Sequence, residues 1–150
     1  MDIKLYFLSS RNLAGTSFEC YYDKEQPDFW NFYSTRQQIG KLLDYDVPSV
    51  EIGKIHQRFK LLDSQSTYAD LYKDGRLIAE HELVYSFKGL LTICKVSEKL
   101  TAPAVSDWLC ELASDFCHIG ECALQNKIES LSKMAYHASS LPLGWFSYWQ

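Results

Sequence analysis

The chain of 150 residues contains no run of about 18 apolar residues, so no helix is expected to cross a bilayer. Its start, Met1-Asp2-Ile3-Lys4-Leu5-Tyr6-Phe7-Leu8, lacks the basic lead and small-residue cleavage site of a secretory signal, which points to a soluble, non-exported protein. Low-complexity segments, internal repeats and long charge runs are missing too, so no linker divides the chain and one domain is expected. No cysteines stand in a C-x-x-C pair. Cys20, Cys94, Cys110, Cys117 and Cys122 are odd in number and irregular in spacing, which reads as free thiols in a reducing compartment. Cys117, His118 and Cys122 are neighbours without zinc-site spacing. On a helix, Cys110 and Cys117 share or border a face with Leu109 and Phe116 and read as small buried hydrophobes. Neither a metal nor a cofactor is expected.

Catalytic signatures are equally absent. His56, His81, His118 and His137 fall on four different elements, and there is no Gly-rich phosphate loop, serine elbow or HExxH spacing. His81, between Glu80 and Glu82 on an alternating strand, faces away from both neighbours and reads as solvated surface. An enzyme is not expected.

A strong positive charge is also lacking, since the net charge is −4. It is unevenly spread. Residues 36–60 carry five basic groups (Arg36, Lys41, Lys54, Arg58, Lys60) against three acidic ones (Asp44, Asp46, Glu51), a net +2. Residues 101–150 carry two against five, a net −3. The basic window is a local footprint, weaker than the stripe nucleic-acid binders usually show.

What is present has clear periodicity. The first 33 residues read as short strands, with aromatic-rich Ser17–Tyr22 and Phe29–Tyr33 separated by a polar turn at Asp23–Asp28. Ser34-Thr35-Arg36-Gln37 offers a capping box for a short helix to about Leu43, whose apolar face is Ile39, Leu42 and Leu43. After a break at Asp44–Pro48, Ser49 is expected to cap a second helix that buries Ile52, Ile55 and Phe59 and turns Lys54, Gln57 and Arg58 outward. The two make a helix-turn-helix-like pair. Thr67–Tyr72 and Leu77–Tyr85 flank Asp74-Gly75, a strong type I′ hairpin signal. Ser86 then caps a helix burying Phe87, Leu90, Leu91 and Cys94. Thr101 caps another, with Pro103 in its first turn and Val105, Trp108, Leu109, Leu112, Phe116 and Ile119 inward. Gly120 is expected to interrupt it before a third helix carrying Leu124, Ile128, Leu131 and Met134. The expected class is α+β: a single compact domain with N-terminal strands, the helix pair, the hairpin and a C-terminal helical half.

Five of these pieces, in order, resemble the BRO-N domain of phage antirepressors and large-virus BRO proteins, a relative of the KilA-N group. They are Phe29-Trp30, Leu43-Asp44-Tyr45 with Pro48, Ile55-His56, Tyr85-Ser86-Phe87-Lys88-Gly89-Leu90, and Ala102-Pro103-Ala104 leading to Trp108. The similarity covers residues 17–118, which places a BRO-N-like domain at 1–118 and a helical extension with an aromatic tail at 119–150. Asp44 stands where the family commonly has Gly. No counterpart to the large second domain that most antirepressors attach is expected; a short helix and a Trp-rich tail are expected in its place.

The resemblance implies a viral or prophage regulator in the host cytoplasm. It would act stoichiometrically on a protein partner, a repressor or host regulator, and relieve repression. A sequence-specific DNA-binding regulator and a small inhibitor of a host defence or transcription protein are the alternatives. The expected docking face comprises Arg36, Gln37, Lys41, Lys54, Gln57, Arg58 and Lys60, where cations would meet phosphates and Gln or Arg would read bases; an ordinary solvated helix face is the plainer account. Acidity favours the protein partner over DNA. The tail residues Trp145, Phe146, Tyr148 and Trp149 either fold back onto the core, the favoured reading, or anchor a partner or a homo-oligomer.

Overall fold

The computed structural model describes residues 2–26 and 28–132, with side chains as far as residue 117. The chain is α+β. Five described strands close into a small barrel in the order β1-β2-β3-β5-β4: β1 (Ile3–Leu13), β2 (Thr16–Tyr22), β3 (Tyr33–Thr35), β4 (Ser66–Lys73) and β5 (Arg76–Ser86). All neighbours are antiparallel except β1 and β4, whose parallel pairing from Ile3↔Ala69 to Tyr6↔Tyr72 closes the ring.

Two tight turns build most of the sheet. Asp74-Gly75 joins β4 to β5 with φ of 54° and 76°, the left-handed pair that a type I′ turn requires. Ala14-Gly15 does the same for β1 and β2, with φ of 51° and 86°. The expected strand at Phe29–Tyr33 begins only at Tyr33. Asn31 donates its amide to the Asp28 carbonyl in a turn, and the Trp30 and Phe32 rings pack on Phe87 instead of extending a ladder.

Strand alternation divides the apolar side chains between two cores. Leu5, Tyr21, Ala69, Leu71 and Val84 fill the barrel, with Phe7, Tyr33 and Ala79 around them. Phe18, Cys20 and Tyr85 point the other way, into a larger core shared with the helices. Those helices are α1 (Arg36–Leu42), α2 (Pro48–Arg58), α3 (Phe87–Val96) and α4 (Ala102–Ser132), with a 3-10 turn at Lys60–Gln65. Phe32 sits at the centre of the larger core, against Phe18, Phe87 and Phe116.

Several helix boundaries differ from the sequence reading. Thr35, not Ser34, caps α1: its hydroxyl accepts from the Gln38 amide at 3.2 Å, while Ser34 turns to donate to the Glu19 carbonyl. Gln38 reaches across to accept from the Glu19 amide instead of closing a capping box. α2 starts at Pro48 without a side-chain cap, and Ser49 donates to Gln37 instead. Proline opens that helix at little cost, since its missing amide would have no partner in the first turn. The Thr101 hydroxyl ties the start of α4 to the Leu43 carbonyl. α4 runs uninterrupted through Gly120 to Ser132; a lone helical glycine costs only about 1 kcal/mol and does not by itself end a helix. Within α4 the expected face is confirmed at Val105, Leu109, Leu112 and Phe116, whereas Trp108 is half-buried against Phe18.

The end of α1 explains Asp44. The Tyr45 amide donates to the Gly40 carbonyl and the Asp44 amide to Lys41, the two bonds of a Schellman closure, which forces Asp44 to φ +65°. An L-residue is strained there and glycine is not. Asp44→Gly is therefore expected to stabilise the chain by about 0.5–1 kcal/mol. A thermal melt should show a raised Tm; a lowered one would mean that the carboxylate does more than occupy the turn.

Cysteine placement corrects one assignment. Cys20, Cys94 and Cys117 are buried, as small core hydrophobes, but Cys110 is exposed on the outer face of α4. Burial pushes the Cys94 thiol up to about 12 and Cys20 higher still, so neither is a ready nucleophile. Among the described residues no helix is long and apolar enough to cross a membrane.

Candidate functional site

The residues expected to form one docking face separate into an interior group and an exterior one. Arg36 belongs to the interior. It opens α1 but leans over α2, where Gly53 leaves room for its guanidinium; a Cβ there would meet an Arg36 nitrogen at 3.3 Å. Its Nε donates to the Tyr85 hydroxyl at 2.8 Å, and its Nη2 lies 3.4 Å from His56 Nδ1. His56 in turn holds Tyr85 through Nδ1 at 2.8 Å and Asp63 through Nε2 at 2.7 Å.

The donor inventory assigns the protons in this network. A guanidinium only donates, so the Tyr85 oxygen accepts from Arg36 and its own hydrogen is left for His56 Nδ1. Arg36 Nη2, 3.4 Å from Nδ1, can likewise only donate, an arrangement that suits an accepting Nδ1 and a hydrogen on Nε2 directed to Asp63. Burial raises the Tyr85 pKa, and the Arg36 hydrogen bond and charge pull it back. Four segments meet here: α1, α2, the 3-10 turn and β5. The network fastens the helix pair to the barrel, and Arg36 is committed to that task.

The exterior group lies along α2. Lys54, Gln57 and Arg58 are exposed, as are Val47 and Val50, at 54% and 51%. At 100° per residue Val50, Lys54, Gln57 and Arg58 fall on one side of the helix, opposite the buried Ile52, Ile55 and His56, and Val47 stands just before its start. Two cations and two bare valines thus share a stripe. Gln37 and Lys41 are exposed on neighbouring α1, Gln37 within 3.0 Å of Ser49, and Lys60 follows just beyond α2. Leu61, in the 3-10 turn after the helix, is 61% exposed.

Charge along this face is graded. Exposed Asp44 and Asp46 stand before the first turn, and Glu51 reaches Lys54 at 3.5 Å within it. Lys54, Arg58 and Lys60 gather toward the far end. A pair as exposed as Glu51–Lys54 contributes little to stability and leaves Lys54 open to other partners. The Arg58 guanidinium lies 5.8 Å from the Phe59 ring centre.

Sequence reasoning missed two features. His56 appeared as one of four scattered histidines and in the Ile55-His56 step, with no sign of its role; its partners Tyr85 and Arg36 are 29 and 20 residues away in the chain. His81 is exposed as expected, yet it occupies a β-bulge at φ +50°, stacks on Tyr68 at 4.1 Å, and bonds Asp2 at 2.7 Å. No period-2 pattern carries that information. Among the described residues no group of three or more His, Cys, Asp or Glu is placed to hold a metal ion. Trp145, Phe146, Tyr148 and Trp149 lie outside the described residues.

No protein-family model matches the chain, and neither does any curated protein or any solved structure.

Proposed function

We propose that the chain is a small regulatory protein of viral or prophage origin, similar to the BRO-N antirepressors, that works by binding another protein. The partner would be a repressor or host regulator whose hold on DNA is relieved, and the setting the cytoplasm of the host cell. The observation that supports this best is the outer face of α2, where Val47 and Val50 stand bare beside Lys54 and Arg58. Adjacent exposed apolar and cationic side chains suit an amphipathic, acidic protein surface.

Direct DNA binding fits this face less well. A recognition helix usually presents its first turns to base edges, and here that end carries Asp44, Asp46 and Glu51. Carboxylates in that place repel the phosphate backbone. The specific point in favour of DNA is the cluster of Lys54, Gln57, Arg58 and Lys60 at the other end, so DNA binding is the second reading.

A pull-down from host-cell lysate, read by mass spectrometry, separates the two. The wild-type chain is expected to capture one defined protein. Val50→Asp with Arg58→Glu should lose that protein, while Lys95→Glu, on the exposed side of α3, should retain it. Capture indifferent to the α2 changes would contradict the reading. So would a chain that captures nothing yet binds duplex DNA with an affinity falling steeply with salt, which would establish the DNA alternative.

A further inference from the structure

We propose that the chain associates with itself by laying α2 of one copy parallel to α4 of another. α4 has an exposed stripe of its own. Leu100, just before the helix, is 98% exposed, and Ala104, Asp107 and Glu111 follow on one outward side, opposite buried Val105, Leu109 and Leu112. Asp115, 3.6 Å from Arg11, continues this side one turn further and falls beyond Arg58, the last cation of α2, so it has no counterpart in the pairing.

The two stripes are complementary in chemistry and in spacing. Along α2 the outward positions are Val47, Val50, Lys54 and Arg58; along α4 and the residues before it they are Leu100, Ala104, Asp107 and Glu111. In each series the last residue stands eleven residues after the first, about 16 Å at helical rise. Each begins with two apolar residues and ends with two charges one turn apart, cationic on α2 and anionic on α4.

A parallel alignment seats Val47 by Leu100 and Val50 by Ala104, and brings Lys54 to Asp107 and Arg58 to Glu111. The antiparallel alignment fails at every step, because it sets the valines against carboxylates and the cations against Leu100 and Ala104. Buried apolar contact at one end would supply adhesion, and the ion pairs would select direction and partner. The two stripes do not meet within one copy. All eight stripe residues are exposed although the 43–47 and 97–101 turns are tied side by side by Tyr45 Oη to Ser97 Oγ at 2.7 Å and by Thr101 to Leu43.

The inference shares the α2 face with the regulatory reading but does not depend on it: a second copy and a protein partner would compete for that face. Analytical ultracentrifugation of the full chain tests it, from low micromolar to submillimolar protein. The wild type is expected to show concentration-dependent association. K54E/R58E and D107K/E111K should each weaken it by at least about tenfold, because like charges then face each other. An equimolar mixture of the two variants should associate again, since each restores the other's charge pattern. A wild-type chain that stays monomeric, or a mixture that does, overturns the proposal. Should either reversal unfold the chain, Leu100→Ser replaces it, and association unchanged by that loss also overturns the proposal. A chain that associates yet captures no host protein would contradict the regulatory reading alone.

Discussion

Phe32→Ala is expected to cost about 3–5 kcal/mol, the largest loss anticipated for a single change in this fold. Phe32 is fully buried and is the ring on which three elements converge: Phe18 of β2 at 6.5 Å, Phe87 of α3 at 5.5 Å and Phe116 of α4 at 5.3 Å. Two of these contacts are edge-to-face, a geometry that adds to the area term. Truncation would remove the ring and leave a cavity whose walls belong to separate elements and cannot collapse together. Chemical denaturation should show a lower midpoint. A loss below about 1 kcal/mol would mean that the sheet and the α3–α4 pair do not share one core.

Gly40→Ala is expected to cost about 2–3 kcal/mol, even though alanine is the better helix former. A Cβ at position 40 would stand 2.5 Å from Pro48 Cβ and 2.7 Å from its Cα. The obstacle is backbone, so no rotamer change relieves it, and the α1–α2 crossing must open. Because α2 carries the outward stripe, the same substitution should also displace Val47 and Val50 relative to the barrel. A melt lowered by roughly 4–12 °C is expected. An unchanged or raised Tm would show that the two helices do not meet at this glycine.

Local chemistry made much of this fold readable. Asp74-Gly75 announced its hairpin, and Ile39, Leu42, Leu90, Leu109 and Phe116 are buried where 3.6-residue spacing puts them. The remainder depended on partners distant in the chain. Ala14-Gly15 turns as sharply as Asp74-Gly75 but lacks the Asn or Asp that flags such a turn. Parallel pairing of Ile3–Tyr6 with Ala69–Tyr72 closes the barrel across more than sixty residues, and no short window encodes it.

The candidate site divided along the same line. Exposure of Lys54, Gln57 and Arg58 followed from helical period alone. Arg36 has the same charge and lies in the same basic window, yet faces the interior. Only the fold brings Tyr85 and His56 to its guanidinium. Tyr85, Pro48 and the Asp44 turn, part of the resemblance to BRO-N domains, have structural duties here: a buried bridge, a close helix contact and a left-handed closure.

The outer face of α2 is proposed as the place where the chain meets a protein. Its most direct test is site-specific photo-crosslinking in host cells, with the crosslinker at position 54 on that face and, for comparison, at position 95 on α3. A discrete protein adduct from position 54 and none from position 95 is the result predicted. Equal adducts from both positions, or adducts to DNA alone from position 54, would contradict it.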